Sequence, residues 1–346
     1  MKKLLFGALA LVVSVATAQN NDSDVTIDSS NGNAVNVAQS GSSNESDVKI
    51  TNSSDRNSLN VGQAGTQNRS KVQAKADANR NLLLSGQTVT KNKSNVLVKN
   101  SSNANAIGLG QSGLRNESDI DIKGDSDRNA LGISQAGMRN DVRVSIDDNS
   151  NANAVGVSQA GPDNEVEVFV DVDSDGNAIG VAQAGSDNYT FAEAYDDSNS
   201  NLMAVSQAGS GNEAFAYADD DSSDNIGLIS QNGTDNYAEA FIGDDNGDNN
   251  FTAIAQNGMN NYAYVDNFVD TTGNTTGILQ NGSDNEAWVY LDEDADRNVT
   301  GIVQNGSGNY AEVEIYYSSN DNAVGVSQGG SDNDSYVYID DDSNTN

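Results

Sequence analysis

The chain has 346 residues, 51 Asp and Glu against 17 Lys and Arg, no His, no Cys and one Pro, and its formal net charge is −34. These counts exclude His- or Cys-based triads, His/Cys zinc sites, His-ligated haem and disulfide scaffolds, and a chain this acidic repels nucleic-acid phosphates. Leu, Ile, Val and Phe make up a fifth of the sequence, which at this charge is the composition of a solvated coil; the order of the residues overrides it.

The first segment in chain order is a leader. Lys2 and Lys3 give a basic start, residues 4–15 are apolar, and Ala16, Thr17 and Ala18 form an A-x-A cleavage signal before Gln19. Residues 1–18 read as a secretory signal peptide, too short to span a membrane, and no later stretch approaches that length. The expectation is a mature chain that begins at Gln19, leaves the cytoplasm and carries no membrane span. Residues 19–32 hold one short alternating stretch, Asp24 to Ile27, read as an N-terminal half-coil.

From residue 33 to 346 the chain repeats itself. Gln39, Gln63, Gln159, Gln183, Gln328 and their eight equivalents stand 24 residues apart, with one step of 25 between Gln231 and Gln256. Six residues before each Gln is an Asn (Asn33, Asn57, Asn153, Asn177, Asn322), and five residues after each is another (Asn44, Asn68, Asn164, Asn188, Asn333), without exception in thirteen units. Gly stands two places after the Gln (Gly41, Gly65, Gly113, Gly137, Gly161, Gly185) except at Val89.

Between these marks the period is two, which means strands. In one unit Asn153, Val155, Val157 and Gln159 share a face while Ala154, Gly156 and Ser158 share the other; a turn follows, and Val166, Val168 and Val170 then alternate with Glu165, Glu167 and Phe169. Two short strands cannot bury an apolar face alone, but stacked coils can. The expected fold is all-β: a β-solenoid of thirteen strand-turn-strand coils, two parallel sheets enclosing a thin core. Inside such a stack a side-chain amide can donate to one neighbouring rung and accept from the other. The Asn and Gln columns are therefore expected to form inward amide ladders, and the Gly to supply the positive φ of a tight arc.

These residues carry a resemblance. The pattern Gln39-x-Gly41-x2-Asn44 and its copies resemble the curlin repeat of bacterial curli subunits, and Asn212-Glu213-Ala214, Asn236-Tyr237-Ala238 and Asn285-Glu286-Ala287 match the following Ala as well. Asn replaces the family's first Ser, and its second Gln is aliphatic here (Ile50, Val98, Val170, Ile315). The resemblance implies a secreted functional-amyloid subunit, a homopolymer in a biofilm matrix or on the cell surface that aids adhesion. It also implies related fibre subunits, a nucleator and an outer-membrane secretion channel as partners.

The repeat region falls into two parts by charge. Residues 33–143 are near neutral, whereas residues 144–346 hold one basic residue, Arg297, and 38 acids; the nineteen aromatics after Phe6 all lie from Phe169 onward. Tyr189, Phe191, Phe215, Tyr217, Tyr237, Tyr264, Trp288 and Tyr290 fall on outward second-arm positions. The outward first-arm positions are small, as in Ala154, Gly156 and Ser158, and suit close lateral packing. Thr252, Thr276 and Thr300 point inward, so the ranked Thr face of an ice-binding solenoid is absent. Asp171, Asp173, Asp175 and Gly176 partly match a calcium loop, but no Glu follows at the twelfth place, and the reading is a solvated acidic turn. No catalytic residue, cofactor site or metal site is expected. The chain reads as a self-assembling structural subunit; the alternative is a monomeric extracellular solenoid adhesin, which would be expected to carry caps or a separate binding domain.

Overall fold

The computed structural model describes residues 11–17, 20–243 and 246–339. It contains strands joined by tight corners, and among the described residues no helix is long and apolar enough to cross a membrane. The chain divides into two compact units, Met1–Asn153 and Ala154–Asn346. That division lies ten residues beyond the change in charge at 143/144.

In the first unit five coils stack. Their first arms, among them Ala34–Ser42, Ser58–Thr66 and Leu82–Thr90, pair parallel and in register, each with its copy one coil on. The second arms, such as Glu45–Ile50 and Arg69–Lys75, do the same in a second sheet. The half-coil expected before residue 33 is the strand Asp22–Ile27, paired with Glu45–Ile50. Within the segment read as a signal peptide, Leu11–Thr17 pairs with Ala34–Ser42 and sets Ala16 opposite Gln39. The cleavage position at Ala18 and Gln19 lies outside the described residues.

The second unit stacks eight coils in the same way, from Ala154–Pro162 and Glu165–Val170 to Ala323–Ser331 and Asp334–Tyr336. The 25-residue step is absorbed in the corner between Phe241 and Phe251, since the register is offset by 24 residues at Glu213–Ala218 and by 25 at Phe251–Met259. The β-solenoid of thirteen coils with two parallel sheets is thus the fold, reached because each coil alone leaves both inner faces wet.

The core is thin and made of the inward residues of both arms. Val155, Val157, Val166, Val168 and Val170 are buried, as are Thr252, Thr276 and Thr300. Volume is balanced across the core: a Cβ at Gly227 would lie 2.6 Å from Ile242 Cγ2, so the bulk on one arm requires none on the other. Thr252 accepts a hydrogen bond from Asn267 at 3.0 Å, but the buried hydroxyls of Thr276 and Thr300 have no partner. Thr276→Val keeps the shape and removes an unpaired polar group. It is expected to raise stability by about 1 kcal/mol, read as a higher denaturant midpoint with an unchanged slope; a lower midpoint would show that the hydroxyl is satisfied.

Candidate functional site

The repeat places identical groups at identical heights, so the candidate site is the set of columns along each unit. Within each unit the Gln column is a continuous amide ladder. In the first unit Nε2 of Gln39 donates to Oε1 of Gln63 at 2.8 Å, Gln63 to Gln87 at 2.9 Å, and Gln87 to Gln111 at 2.8 Å. In the second, Gln159 donates to Gln183, Gln183 to Gln207, and so on to Gln304 and Gln328, each at 2.9 Å. The sense never changes: each coil donates to the one that follows. The same nitrogen also reaches the backbone of the second arm, as from Gln183 to the carbonyls of Glu165 and Asn188 at 2.9 and 3.1 Å.

In the second unit the second Asn column runs the opposite way, whereas in the first the backbone N–H of Asn68, Asn92 and Asn116 makes the backward bond. Asn188 Nδ2 donates back to Asn164 Oδ1 at 2.9 Å, Asn212 to Asn188 at 3.0 Å, and Asn309 to Asn285 at 2.9 Å. The column extends to Asn21, whose Oδ1 accepts the Asn44 backbone N–H at 3.0 Å. The pattern search missed Asn21 because it lies 23 residues, not 24, before Asn44.

The first Asn column differs from the expected amide-to-amide ladder. Its oxygen caps the backbone N–H of the next Asn, as in Asn57 N to Asn33 Oδ1 at 2.7 Å, Asn201 N to Asn177 at 2.8 Å and Asn322 N to Asn298 at 2.9 Å. Its nitrogen donates to a backbone carbonyl of the next corner, Asn33 to Ser54 O at 2.9 Å and Asn177 to Ser198 O at 2.7 Å. Side-chain pairing survives at 3.1–3.3 Å between Asn33, Asn57 and Asn81. This column stands at a corner where a backbone carbonyl of the next coil lies within reach of the amide, so the nitrogen bonds to that carbonyl. Asn33, Asn44, Asn57, Asn68, Asn153, Asn164, Asn177, Asn188 and Asn322 are all buried, as are Gln39, Gln63, Gln159, Gln183 and Gln328, while Asn333 is half-buried.

The glycine column is bound to the second Asn column. Gly41, Gly65, Gly113, Gly137, Gly161 and Gly185 have φ between +93° and +122°. A Cβ on Gly161 would lie 1.9 Å from Gly185 O, and one on Gly185 would lie 1.9 Å from Gly209 O. Those carbonyls are aimed at the preceding coil because they accept its Asn amide: Asn164 to Gly185 O at 3.0 Å and Asn188 to Gly209 O at 3.2 Å.

Two further columns escaped the sequence reading. Ser30, Ser54, Ser102, Ser126, Ser150, Ser174, Ser198 and Ser222 stand three residues before the first Asn of their coils and are buried. Next to them Asn or Asp oxygens accept a backbone N–H from the preceding coil, as in Asn79 N to Asn103 at 2.8 Å and Thr272 N to Asp296 at 2.8 Å. Residue type varies in both columns, to Ala78, Gly247 and Ala295 in the first and Ser223 and Thr272 in the second. A search for identity therefore passes over them, whereas a search for small and Asx classes at fixed offset finds them.

The outer second-arm faces of the two units use different chemistry. In the first, opposite charges face each other on neighbouring coils: Arg69 with Glu45 at 2.7 Å, Lys93 with Glu117, and Lys99 with Asp121 at 3.5 Å. The first two pairs are exposed and each contributes little, while Lys99 and Asp121 are half-buried. In the second, rings stack in two columns. Phe169, Phe191, Tyr217, Phe241, Tyr264 and Tyr290 form one, with centroids 4.5–6.1 Å apart. Tyr189, Phe215, Tyr237, Tyr262 and Trp288 form the other at 4.9–5.6 Å. Each contact adds about 0.5–1.5 kcal/mol beyond burial. Acids between the rings accept from them: Tyr237 to Glu239 at 2.7 Å, Tyr264 to Asp266 at 2.9 Å and Trp288 to Glu286 at 2.8 Å. Burial, with neighbouring acids second, raises the Tyr217 and Tyr290 hydroxyls to about 12. Raised folded values mean that this stability is complete below the free tyrosine value near ~10 and is lost as pH climbs through about 12. Alkaline titration of phenolate absorbance should show these rings ionising together with unfolding rather than before it; ionisation of every tyrosine near ~10 in folded protein would contradict the stacks.

No protein-family model matches this chain, and no curated protein sequence matches it.

Proposed function

We propose that the chain is a secreted structural subunit that self-assembles end to end into curli-like amyloid fibres of a bacterial biofilm matrix or cell surface, where it aids adhesion. The observation that carries this reading is the uniform sense of the ladders. In the second unit each coil meets the next through a forward Gln donor and a backward Asn donor, so a coil from a second copy can take the next place without any new kind of contact. The side-chain pattern that resembles the curlin repeat is the same set of ladder residues. Its partners are first of all other copies of itself, and then the related subunits, nucleator and secretion channel that the resemblance implies. Purified protein should form thioflavin-positive fibres with a spacing along the axis of about 4.8 Å. Protein that stays monomeric for weeks at high concentration would overturn the proposal in favour of a monomeric solenoid adhesin.

Acid should favour the assembly. Stacking sets Asp173, Asp197 and Asp221 on successive coils, and Asp197 is held above the usual carboxylate range by desolvation first and by Asp173 and Asp221 after it. Glu193 is raised by burial first and by Asp171 second. A carboxyl with a raised folded value gains stability as pH falls from neutral toward the free value near ~4.3. Lag times should shorten from pH 7 to pH 5, taken as rough bounds of that window. Longer lags on acidification would show that the acids are salt-bridged rather than mutually repelling.

A further inference from the structure

The charges of the coils lie on the second arms and in the corners. The eight first-arm strands of the second unit, from Ala154–Pro162 to Ala323–Ser331, contain no Asp, Glu, Lys or Arg at all, in a chain with a net charge of −34. Their outer surface is uncharged and partly bulky: Leu202, Phe251 and Val299 are 41%, 36% and 53% exposed, with an exposed amide row of Asn257, Asn281 and Asn305 at one edge. Along it runs a trough of about 910 Å³ lined by Gly156, Gly180, Ala204, Gly277 and Gly301, with Leu228 standing in the same row between Ala204 and Ala253.

Those glycines are not required by the protomer. A Cβ on Gly156, Gly180, Gly277, Gly301 or Gly325 would meet nothing within 4 Å, and none has a positive φ. This is the reverse of Gly161 and Gly185. A strand glycine costs about 0.5–1 kcal/mol relative to alanine, and one with open space above it marks a place where another backbone comes close.

We propose that this face is an interface with the same face of a second copy of the chain, packed sheet on sheet. A second copy is the occupant because two molecules this acidic can approach closely only where neither carries charge. Lipid and polysaccharide are less suited: there is no basic rim for anionic headgroups, and Phe251 is the one aromatic ring on the face. The area is also sufficient. Eight strands at about 4.8 Å, each nine residues long at about 3.3 Å per residue, offer roughly 1,100 Å² per copy, against about 800 Å² per partner in a stable interface. Bulk and hollow alternate on the face, so the Leu202 and Phe251 side of one copy can fill the glycine trough of the other. The pairing is lateral. It rests on the proposed fibre only in that it sets the number of solenoids in the fibre's cross-section.

The test is Gly180→Val with Gly277→Val in the full chain. Valine suits a strand and meets open space in the protomer, so folding and end-to-end growth should be kept, while the close approach is blocked. Wild-type fibres should have two solenoids in cross-section by mass per length, and the variant one, a twofold fall with the rung spacing unchanged. If no fibres form, sedimentation equilibrium replaces the readout, with a dimer expected for wild type and at least a tenfold weaker association for the variant. Single-solenoid fibres or monomeric wild-type protein would overturn the proposal, as would a variant that pairs as wild type does. So would loss, in the variant, of binding to neutral phosphatidylcholine vesicles by a wild type that does not self-pair, which would assign the face to lipid.

Discussion

Gln207→Glu should destabilise the protein by roughly 3–5 kcal/mol at neutral pH, whereas Glu165→Gln should change stability by less than about 0.5 kcal/mol. Gln207 Nε2 donates to Tyr189 O at 2.8 Å, Asn212 O at 2.9 Å and Gln231 Oε1 at 2.9 Å. Its Oε1 accepts from Gln183 at 2.9 Å and Thr190 at 2.8 Å. A carboxylate keeps the accepting half and replaces the donor with an oxygen aimed at three oxygens, in a position 1% exposed. Protonation restores one donor, so the deficit should shrink as pH falls. Glu165 is exposed at the start of its strand, and its replacement removes one charge from an acidic face. Denaturant midpoints and assembly lags for the two variants, measured at neutral and acidic pH, check this. Equal effects would mean that the ladder does not hold the coils together.

Gly209→Ala should also be severe, at about 3–5 kcal/mol, whereas Gly180→Ala should be neutral or stabilising by up to about 1 kcal/mol. Gly209 has φ +116°, and its added Cβ would lie 1.9 Å from Gly233 O. That carbonyl cannot move away freely, because it accepts the Asn212 amide at 3.1 Å. The column does admit one side chain: Val89 has φ +77°, lower than any glycine in the column, and its side chain points out with 54% exposure. Gly209→Ala would need the same rotation within a stack whose neighbours hold it at a different angle. Thermal unfolding of both variants distinguishes the two kinds of glycine, and a stable Gly209→Ala protein would show that the corner is slack.

Much of this was legible in the sequence because repetition made it so. One coil of this composition is ambiguous, but thirteen coils in phase set Gln39, Gln63 and their copies in a single column. The alternation of Val155, Val157, Val166 and Val168 then decides which face is buried, since a strand has only two faces. The inward Thr252, Thr276 and Thr300, the ring-bearing outer face and the uncharged first arms follow from the same parity.

What only the tertiary structure decided is what each column bonds to. Gln159 and Asn153 both read as inward amides, yet the Gln column bonds to its own copies and the first Asn column to the backbone of the next corner. The second Asn column pairs with its own copies as Gln does, so side-chain length is not the reason; a corner carbonyl of the next coil, such as Ser198 O, stands opposite the first column, which no spacing reveals. The opposite donor senses of the Gln and second Asn columns are decided in the same way, by which carbonyl each nitrogen meets first. The two glycine classes, Gly161 and Gly156, are identical letters in the sequence. They part because a carbonyl of the next coil covers one and open space lies over the other, and a partner's backbone can approach only the second.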